Sequence, residues 1–367
     1  MAFKREKDVV KNWGGEVVVS ILCQTYNQKN FIRDALDSLL MQETNFAFEV
    51  IIRDDASSDG TAEIIREYQE KYPRIIKPIY EIENQMTKGL GMIPGKLPQV
   101  MKGRVAKYIA FCDGDDYWTT PYKLQKQIDF LEQNPVFMGS AHASRYLRGS
   151  EVAELVSVPP EGKTEYTFEE YLGSCYFQTS SWVYRYDTNV RCLIDKYFYK
   201  KCGGDVYMSL VFMTLGPIKY FDEVMSVWRV NEQGEWHKNS SDVQVMQNLA
   251  ASSKTANILD DKYRSKFYEM FYENVKKISP IKFSSLLLNN YKVEEAQEII
   301  SMLAEVVVSD ESPIAKNIKS KDIEIESRDS TIKECNEYIK LLEGLLEAEK
   351  SRSLLRIVKS RVTKLLK

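Results

Sequence analysis

Three short acidic stretches hold the side chains best suited to chemistry. Asp113-Gly114-Asp115, followed by Asp116, sets two carboxylates close together around a flexible residue. Hard oxygen ligands of this kind suit Mg²⁺ or Mn²⁺, which bridge to phosphate oxygens; without a cation the two charges repel. Taken alone, the same pair reads as a turn with Asx-type hydrogen bonds. The second stretch, Asp54-Asp55-Ala56-Ser57-Ser58-Asp59-Gly60-Thr61, ends in good helix caps, with Asp59 or Thr61 expected to cap. Asp54 and Asp55 precede the helix and are not explained by capping. They stand at a strand edge, where a base or ribose would be read. The third, Gly203-Gly204-Asp205, precedes an apolar helix. Its carboxylate could act as a general base, or simply favour the positive helix N-terminus.

The elements around these residues follow from periodicity. Residues 17–23 (VVVSILC) and FEVIIRD, ending at Asp54, are β-branched runs that predict buried strands. Residues 75–80 and 107–112 predict two more strands. Between them FIRDALDSLLMQ and TAEIIREYQEKY have helical spacing, the second stopped by Pro73, and YKLQKQIDFLEQ follows Pro121. Strands alternating with amphipathic helices predict an α/β fold with a mostly parallel sheet flanked by helices. In such sheets ligands sit outside the carboxyl ends of the strands. Three polar loops fall at those ends: Gln24 to Asn27, Asp54 to Gly60, and Asp113 to Asp116. No G-x-G-x-x-G or G-x-x-x-x-G-K-[ST] is present, so nucleotide phosphates would be held by something other than a Gly-rich loop. The stretch from Glu83 to Pro98, rich in Gly and Pro, predicts a long loop.

Taken in order, VSILCQTYN, VIIRDDASSDGT, KYIAFCDGDDYW, GGDVYM and VWRVNEQG resemble the motifs of family 2 glycosyltransferases of the GT-A fold, especially bacterial enzymes of surface-polysaccharide synthesis. The resemblance covers about residues 17–240. It implies a nucleotide-sugar donor, with uridine the family's usual base, and an inverting transfer assisted by Mn²⁺ or Mg²⁺. By the same resemblance Gln24, Thr25 and Tyr26 line the nucleotide pocket, and Asp55 accepts a hydrogen bond from the base with Asp54 beside it. Asp113 holds the ribose, Asp115 ligates the metal with Asp113 close by, Asp116 and Trp118 shape the sugar pocket, and Asp205 matches the family's base. One departure lies after Trp228-Arg229, where many relatives have a histidine and this chain has Asn231. His237, six residues later, is either a substitute near the metal or a solvated loop histidine. Neither Q-x-x-R-W nor a membrane span is present, which implies a non-processive enzyme adding one sugar to a glycan or lipid-linked acceptor. The alternatives are a non-catalytic nucleotide-sugar-binding scaffold and a nucleotidyltransferase; the latter usually needs a glycine-rich basic loop near the first strand.

Composition bounds these readings. The 367 residues are 44% hydrophobic and 28% charged, which excludes collagen-like, wholly disordered and disulfide-scaffold classes. Fifty Lys and Arg against 53 Asp and Glu give a net charge of -3, without the basic excess of a general nucleic-acid binder. Two histidines, His142 and His237, exclude a His-rich zinc site. Six scattered cysteines without a CxxC pair predict reduced thiols in a cytosolic protein, and the first residues lack the apolar stretch of a secretory signal. The expected organisation is an extension over 1–16, a glycosyltransferase domain over 17–240, a helical region over 241–310, a long helix over 311–350 and a basic helix over 351–367. Ile318, Ile325, Ile332, Ile339 and Leu346 recur every seven residues, giving either a weakly specified coiled coil that joins copies of the chain or a solvated single helix. SRSLLRIVKSRVTKLLK has six Lys or Arg and no acid, with one apolar face interrupted by Arg361. That pattern predicts attachment at the inner face of the cell membrane, against a terminal helix docked on the protein itself.

Overall fold

The computed structural model describes residues 4–85, 97–149 without 98, 151–156, 159, 161–174, 177–197, 204–230, 240–264 and 266–278, and separate positions from 282 to 306. The heptad segment and the basic helix lie outside the described residues. The chain divides into two compact units, Met1–His237 and Lys238–Lys367.

In the first unit, β1 (Gly14–Thr25), β2 (Phe46–Asp54), β3 (Ile76–Tyr80) and β4 (Tyr108–Phe111) pair in parallel, in the order β3-β2-β1-β4. Every residue of β2 is buried, as expected of a parallel strand covered on both faces. Helices α2 (Ile32–Leu40), α3 (Thr61–Lys71) and α4 (Lys123–Gln133) make the crossovers predicted from periodicity. Ile32, Ala35, Leu36, Leu39 and Leu40 form the buried stripe of α2, and Ile64, Ile65 and Tyr68 that of α3. They enclose one core with Phe48, Val50, Ile52 and Ala110. The described residues 4–16, expected as an extension, pack against this unit. A short helix, α1 (Glu6–Val9), brings Val9 into that core, and the Tyr72 hydroxyl donates to the Lys4 carbonyl at 2.7 Å.

Beyond β4 the sheet continues through β5 (Tyr117–Trp118), β6 (Gly139–Arg148), β7 (Glu151–Val156), β8 (Glu165–Tyr166), β9 (Val183–Arg185) and β10 (Ile218–Arg229). The order is β4-β9-β6-β10-β5, with β7 on β6 and β8 on β10. β9 is antiparallel to both β4 and β6, so β6 and its parallel partner β10 run in the direction of β1 and β4. The carboxyl ends of β6 and β10 therefore face the edge that carries the acidic loops. Helices α5 (Phe168–Ser174), α6 (Thr188–Tyr197) and α7 (Gly204–Met213) belong to this half. β6, with no plain period-2 signal in GSAHASRYLR, is among the strands that periodicity did not single out.

The second unit, described alone, holds α8 (Ser241–Ile258), α9 (Asp261–Arg264) and α10 (Phe267–Val275). Ser240 caps α8, its hydroxyl accepting from the Val243 amide, and Met246, Leu249, Phe267, Phe271 and Val275 are buried. Among the described residues no helix is long and apolar enough to cross a membrane.

Candidate active site

Register alone brings the first two loops together: Thr25 pairs with Asp54, and the Asp55 amide donates to the Thr25 carbonyl at 3.0 Å. The third loop is stitched on by the Gly114 amide, which donates to the Gln24 carbonyl at 2.8 Å. Gly114 is required there, because a Cβ would lie 2.5 Å from Gln28 Oε1 and 2.8 Å from Thr25 Oγ1. Residues 26–30 are locked to the second loop by four bonds. The Asn27 amide donates to Ser57 Oγ, the Ser58 amide to Asn27 Oδ1, the Gln28 amide to Thr61 Oγ1 and the Lys29 amide to Asp59 Oδ2, all at 2.8–2.9 Å. Asn27 (φ 50°) and Ala56 (φ 63°) both sit in the left-handed region. For alanine that conformation is costly, and such strain concentrates where a loop is shaped for a ligand.

Four polar atoms able to accept are buried at this edge without a hydrogen-bond partner: Gln24 Oε1, Thr25 Oγ1, Gln28 Oε1 and Asp54 Oδ1, of which the Thr25 hydroxyl can also donate. Buried polar atoms are rarely left so, and these four lie at the carboxyl ends of β1 and β2. Asp54 Oδ2 accepts from the Ser57 amide at 3.2 Å; burial raises its carboxyl above the usual range, and the Ser57 bonds offset only part of that. Gln28 was not among the residues singled out by sequence, although it lies in the same turn as Gln24 to Tyr26. Tyr26 is 45% exposed beside it, as a ring available for stacking must be.

Asp55 is 1% exposed, and its Oδ1 accepts from Arg53 Nη2 at 3.2 Å and from the Gln85 amide at 3.0 Å. Arg53 Nε also donates to Glu81 Oε1 at 2.8 Å. The cation in FEVIIRD was the readable signal for this brace, since a charge inside a buried strand must be paired.

Asp113 and Asp115 are half-buried in a tight turn closed by the Asp116 amide donating to the Asp113 carbonyl at 3.0 Å. Asp116 and Trp118, expected to shape the sugar pocket, are both buried. Asp116 is 1% exposed; its Oδ1 accepts from the Arg229 amide at 3.0 Å and its Oδ2 from Gln178 Nε2 at 2.9 Å. It braces the loop from behind. Burial, followed by Asp115 and Asp113, pushes its carboxyl well above the usual range. Trp118 is also 1% exposed, its indole N–H donating to the Ser180 carbonyl at 2.9 Å and its ring 4.2 Å from Lys123 Nζ. Its side chain packs between Lys123 of α4 and the turn at Thr179–Ser181.

Among the described residues no group of three His, Cys, Asp or Glu could hold a metal. Asp113 and Asp115 are nonetheless the two half-buried hard-oxygen groups that Mg²⁺ or Mn²⁺ favours, and Mg²⁺ commonly takes one or two carboxylates with substrate phosphates completing its shell. The residues thus fit a cation shared with a diphosphate, not a closed protein cage. Asp205 is the second residue of α7, placing it in the helix's first turn rather than in a loop before it. Its side chain lies outside the described residues, as do Asn231 and His237.

Residues 20–189 match Glycosyl transferase family 2. An uncharacterised protein of Mycobacterium tuberculosis is 33% identical over 224 residues, covering 61% of this chain and 62% of the relative. The Escherichia coli UDP-Glc:alpha-D-GlcNAc-diphosphoundecaprenol beta-1,3-glucosyltransferase WfaP is 37% identical over 145 residues, 39% of this chain and 53% of WfaP. The chain thus spans less than two thirds of the length of these curated relatives. In fold it resembles Staphylococcus aureus TarS 1-349, solved in complex with UDP-GlcNAc, at a TM-score of 0.58 and 18% identity, covering 91% of this chain and 92% of that one. The parallel strands, the acidic loops at their carboxyl ends and the likeness to TarS 1-349 agree on the GT-A fold, and within it residues 20–189 match glycosyltransferase family 2.

Proposed function

We propose that this protein is an inverting, metal-dependent glycosyltransferase that moves one sugar from a nucleotide-sugar, with UDP as carrier, to a hydroxyl of a glycan or lipid-linked acceptor in surface-polysaccharide synthesis. The observation that carries the reading is the set of four partnerless buried acceptors beside the Asp113–Asp115 pair. Acceptors suit the imide N–H and ribose hydroxyls of a uridine, and the carboxylate pair suits a cation on the diphosphate. The name of WfaP, a transferase using UDP-Glc on a lipid diphosphate, supports the same donor and acceptor classes.

In this reading Gln24, Thr25, Tyr26 and Asp54 receive the nucleoside, Asp55 reads the base from its Arg53 brace, and Asp113 takes the ribose. Asp115 and Asp113 would hold a divalent ion, which when bound would supply positive charge against that growing on the departing diphosphate. Asp205 accepts the proton of the acceptor hydroxyl while that oxygen bonds to the anomeric carbon and the carbon–diphosphate bond breaks. A single displacement inverts the centre and needs no covalent nucleophile. Residues 311–350 would join copies of the chain, and 351–367 would hold it at the inner membrane face.

Calorimetric titration with UDP, GDP, CMP and dTDP, with and without Mn²⁺, tests the reading alongside Asp115→Ala and Asp205→Asn. Mn²⁺-dependent binding of UDP, weakened in Asp115→Ala, is expected. Asp205→Asn should bind as the wild type does and lose transfer. Retained transfer in Asp205→Asn removes that residue from the chemistry, and binding of no nucleotide by the wild type means either that the site needs the sugar or acceptor to form or that the chain is a degenerate relative serving as a scaffold.

A further inference from the structure

We infer that Arg229 is a positioning residue for the Asp113–Asp116 loop, fixing its backbone against α2 and the end of β10. The inference rests on the proposed function and adds a residue that the acidic motif does not contain.

Arg229 is the last residue of β10. Its backbone N–H donates to Asp116 Oδ1 at 3.0 Å, and its Nη1 donates to the Asp115 carbonyl at 3.3 Å. Nη2 pairs with Asp34 of α2. The guanidinium carbon lies 5.1 Å from the Phe31 ring and 4.9 Å from the Tyr117 ring. One largely buried side chain, 13% exposed, therefore touches the acidic loop, α2 and β5 together. A guanidinium suits this place because its fork serves two acceptors at fixed angles while its faces rest on aromatic rings. An ammonium has neither the plane nor the fork.

The contact matters because it is made to the backbone of Asp115. That loop is held on one side by β1, through Gly114, and behind by Asp116 on Gln178. Arg229 supplies the third direction. It is also a cation next to a loop with three carboxylates, whose mutual repulsion would otherwise open the turn. With the loop pinned from three sides, the Asp113 and Asp115 oxygens are set before a metal–diphosphate arrives, and little ordering remains to be done on binding.

The test is Mn²⁺ binding to the UDP-loaded full chain, followed by calorimetry and by the Mn²⁺ paramagnetic-resonance signal, in Arg229→Lys, Arg229→Met and Asp34→Asn. Asp34 is 59% exposed, so its amide variant cuts the α2 arm without disturbing the core. Loss of an outer-shell partner of a metal ligand weakens metal binding about 10- to 100-fold. A loss of at least about tenfold is expected in both Arg229 variants. Lysine should regain little of it, Asp34→Asn should weaken binding less but in the same direction, and melting temperatures should change little. Wild-type Mn²⁺ affinity in both Arg229 variants overturns the inference alone. An affinity loss that appears only together with unfolding, and is absent in Asp34→Asn, overturns it too. A wild type that binds neither UDP nor Mn²⁺ overturns the proposed function and this inference together.

Discussion

Asp54 is the single residue on which the proposed nucleoside pocket can be tested most directly. One carboxylate oxygen accepts from the Ser57 amide, while Oδ1 is buried without a partner. The cost appears in titration: burial raises the Asp54 carboxyl above the ordinary value. A group whose folded pKa is raised contributes its stability below the unfolded pKa, about 3.9 for Asp, and loses it as pH rises through the folded value. The nucleotide-free protein should therefore lose stability from this group on going from acid toward neutral pH. Asp54→Asn carries no such loss, so its melting temperature should gain on the wild type as pH rises from about 4 to 7. Its amide oxygen can still accept from Ser57, which puts an NH₂ donor where the unpartnered acceptor was. UDP affinity should then fall about tenfold, the scale of one mismatched buried hydrogen bond. A melting difference that does not change with pH, or unchanged UDP affinity, would remove Asp54 from the pocket.

Among the elements, α3 ties fold to site. Periodicity gave its span and its buried stripe, and the β-branched runs gave β1 to β4, because each of those signals lives within a dozen residues. What joins the loops was less legible. Asp59 or Thr61 was expected to cap α3, whereas the cap position is Gly60 at φ 102°, with Lys29 carbons 3.3 Å from where a Cβ would stand. Asp59 instead accepts from the Thr61 amide at 2.9 Å through Oδ1 and from the Lys29 amide at 2.9 Å through Oδ2. One carboxylate thus starts the helix and pins the 26–30 turn, a pairing across 30 residues that no local pattern contains. The burial of Asp116 was illegible for the same reason: an acidic loop is visible in sequence, but which of its side chains turns inward depends on Gln178 and Arg229, distant in the chain. β6 was missed because its small residues fit between α4 and the neighbouring strands, where Ser140 accepts from Gln127 Nε2 at 3.0 Å. From the dual role of Asp59, Asp59→Ala should cost about 0.5–2 kcal/mol in urea unfolding, as for loss of a helix-start acceptor. It should weaken UDP binding as well. An ordinary stability loss with UDP affinity intact would show that the 26–30 turn does not need this anchor.

At the scale of the whole molecule, the chemistry proposed here lies within the unit Met1–His237, and the chain's strongest charge asymmetry lies far from it in sequence. Residues 351–367 hold six Lys or Arg and no acid in a chain whose net charge is -3. A cation near an anionic bilayer contributes about 1 kcal/mol, and apolar residues on one helical face add to it. In the proposed interfacial helix Arg361 would fall inside the apolar arc, so charge would carry more of the attachment than insertion would. Two consequences separate this from a terminal helix docked on the protein. Removing 351–367 should shift the protein from the membrane to the soluble fraction while UDP-sugar hydrolysis stays close to that of the full chain, because none of the site residues lies there. Binding of the full chain to vesicles should require anionic lipid and fall steeply between low and high salt, since screening acts over about 10 Å at 0.1 M. A truncated protein that sediments with membranes as before, or attachment indifferent to lipid charge and salt, would assign membrane contact to another part of the chain.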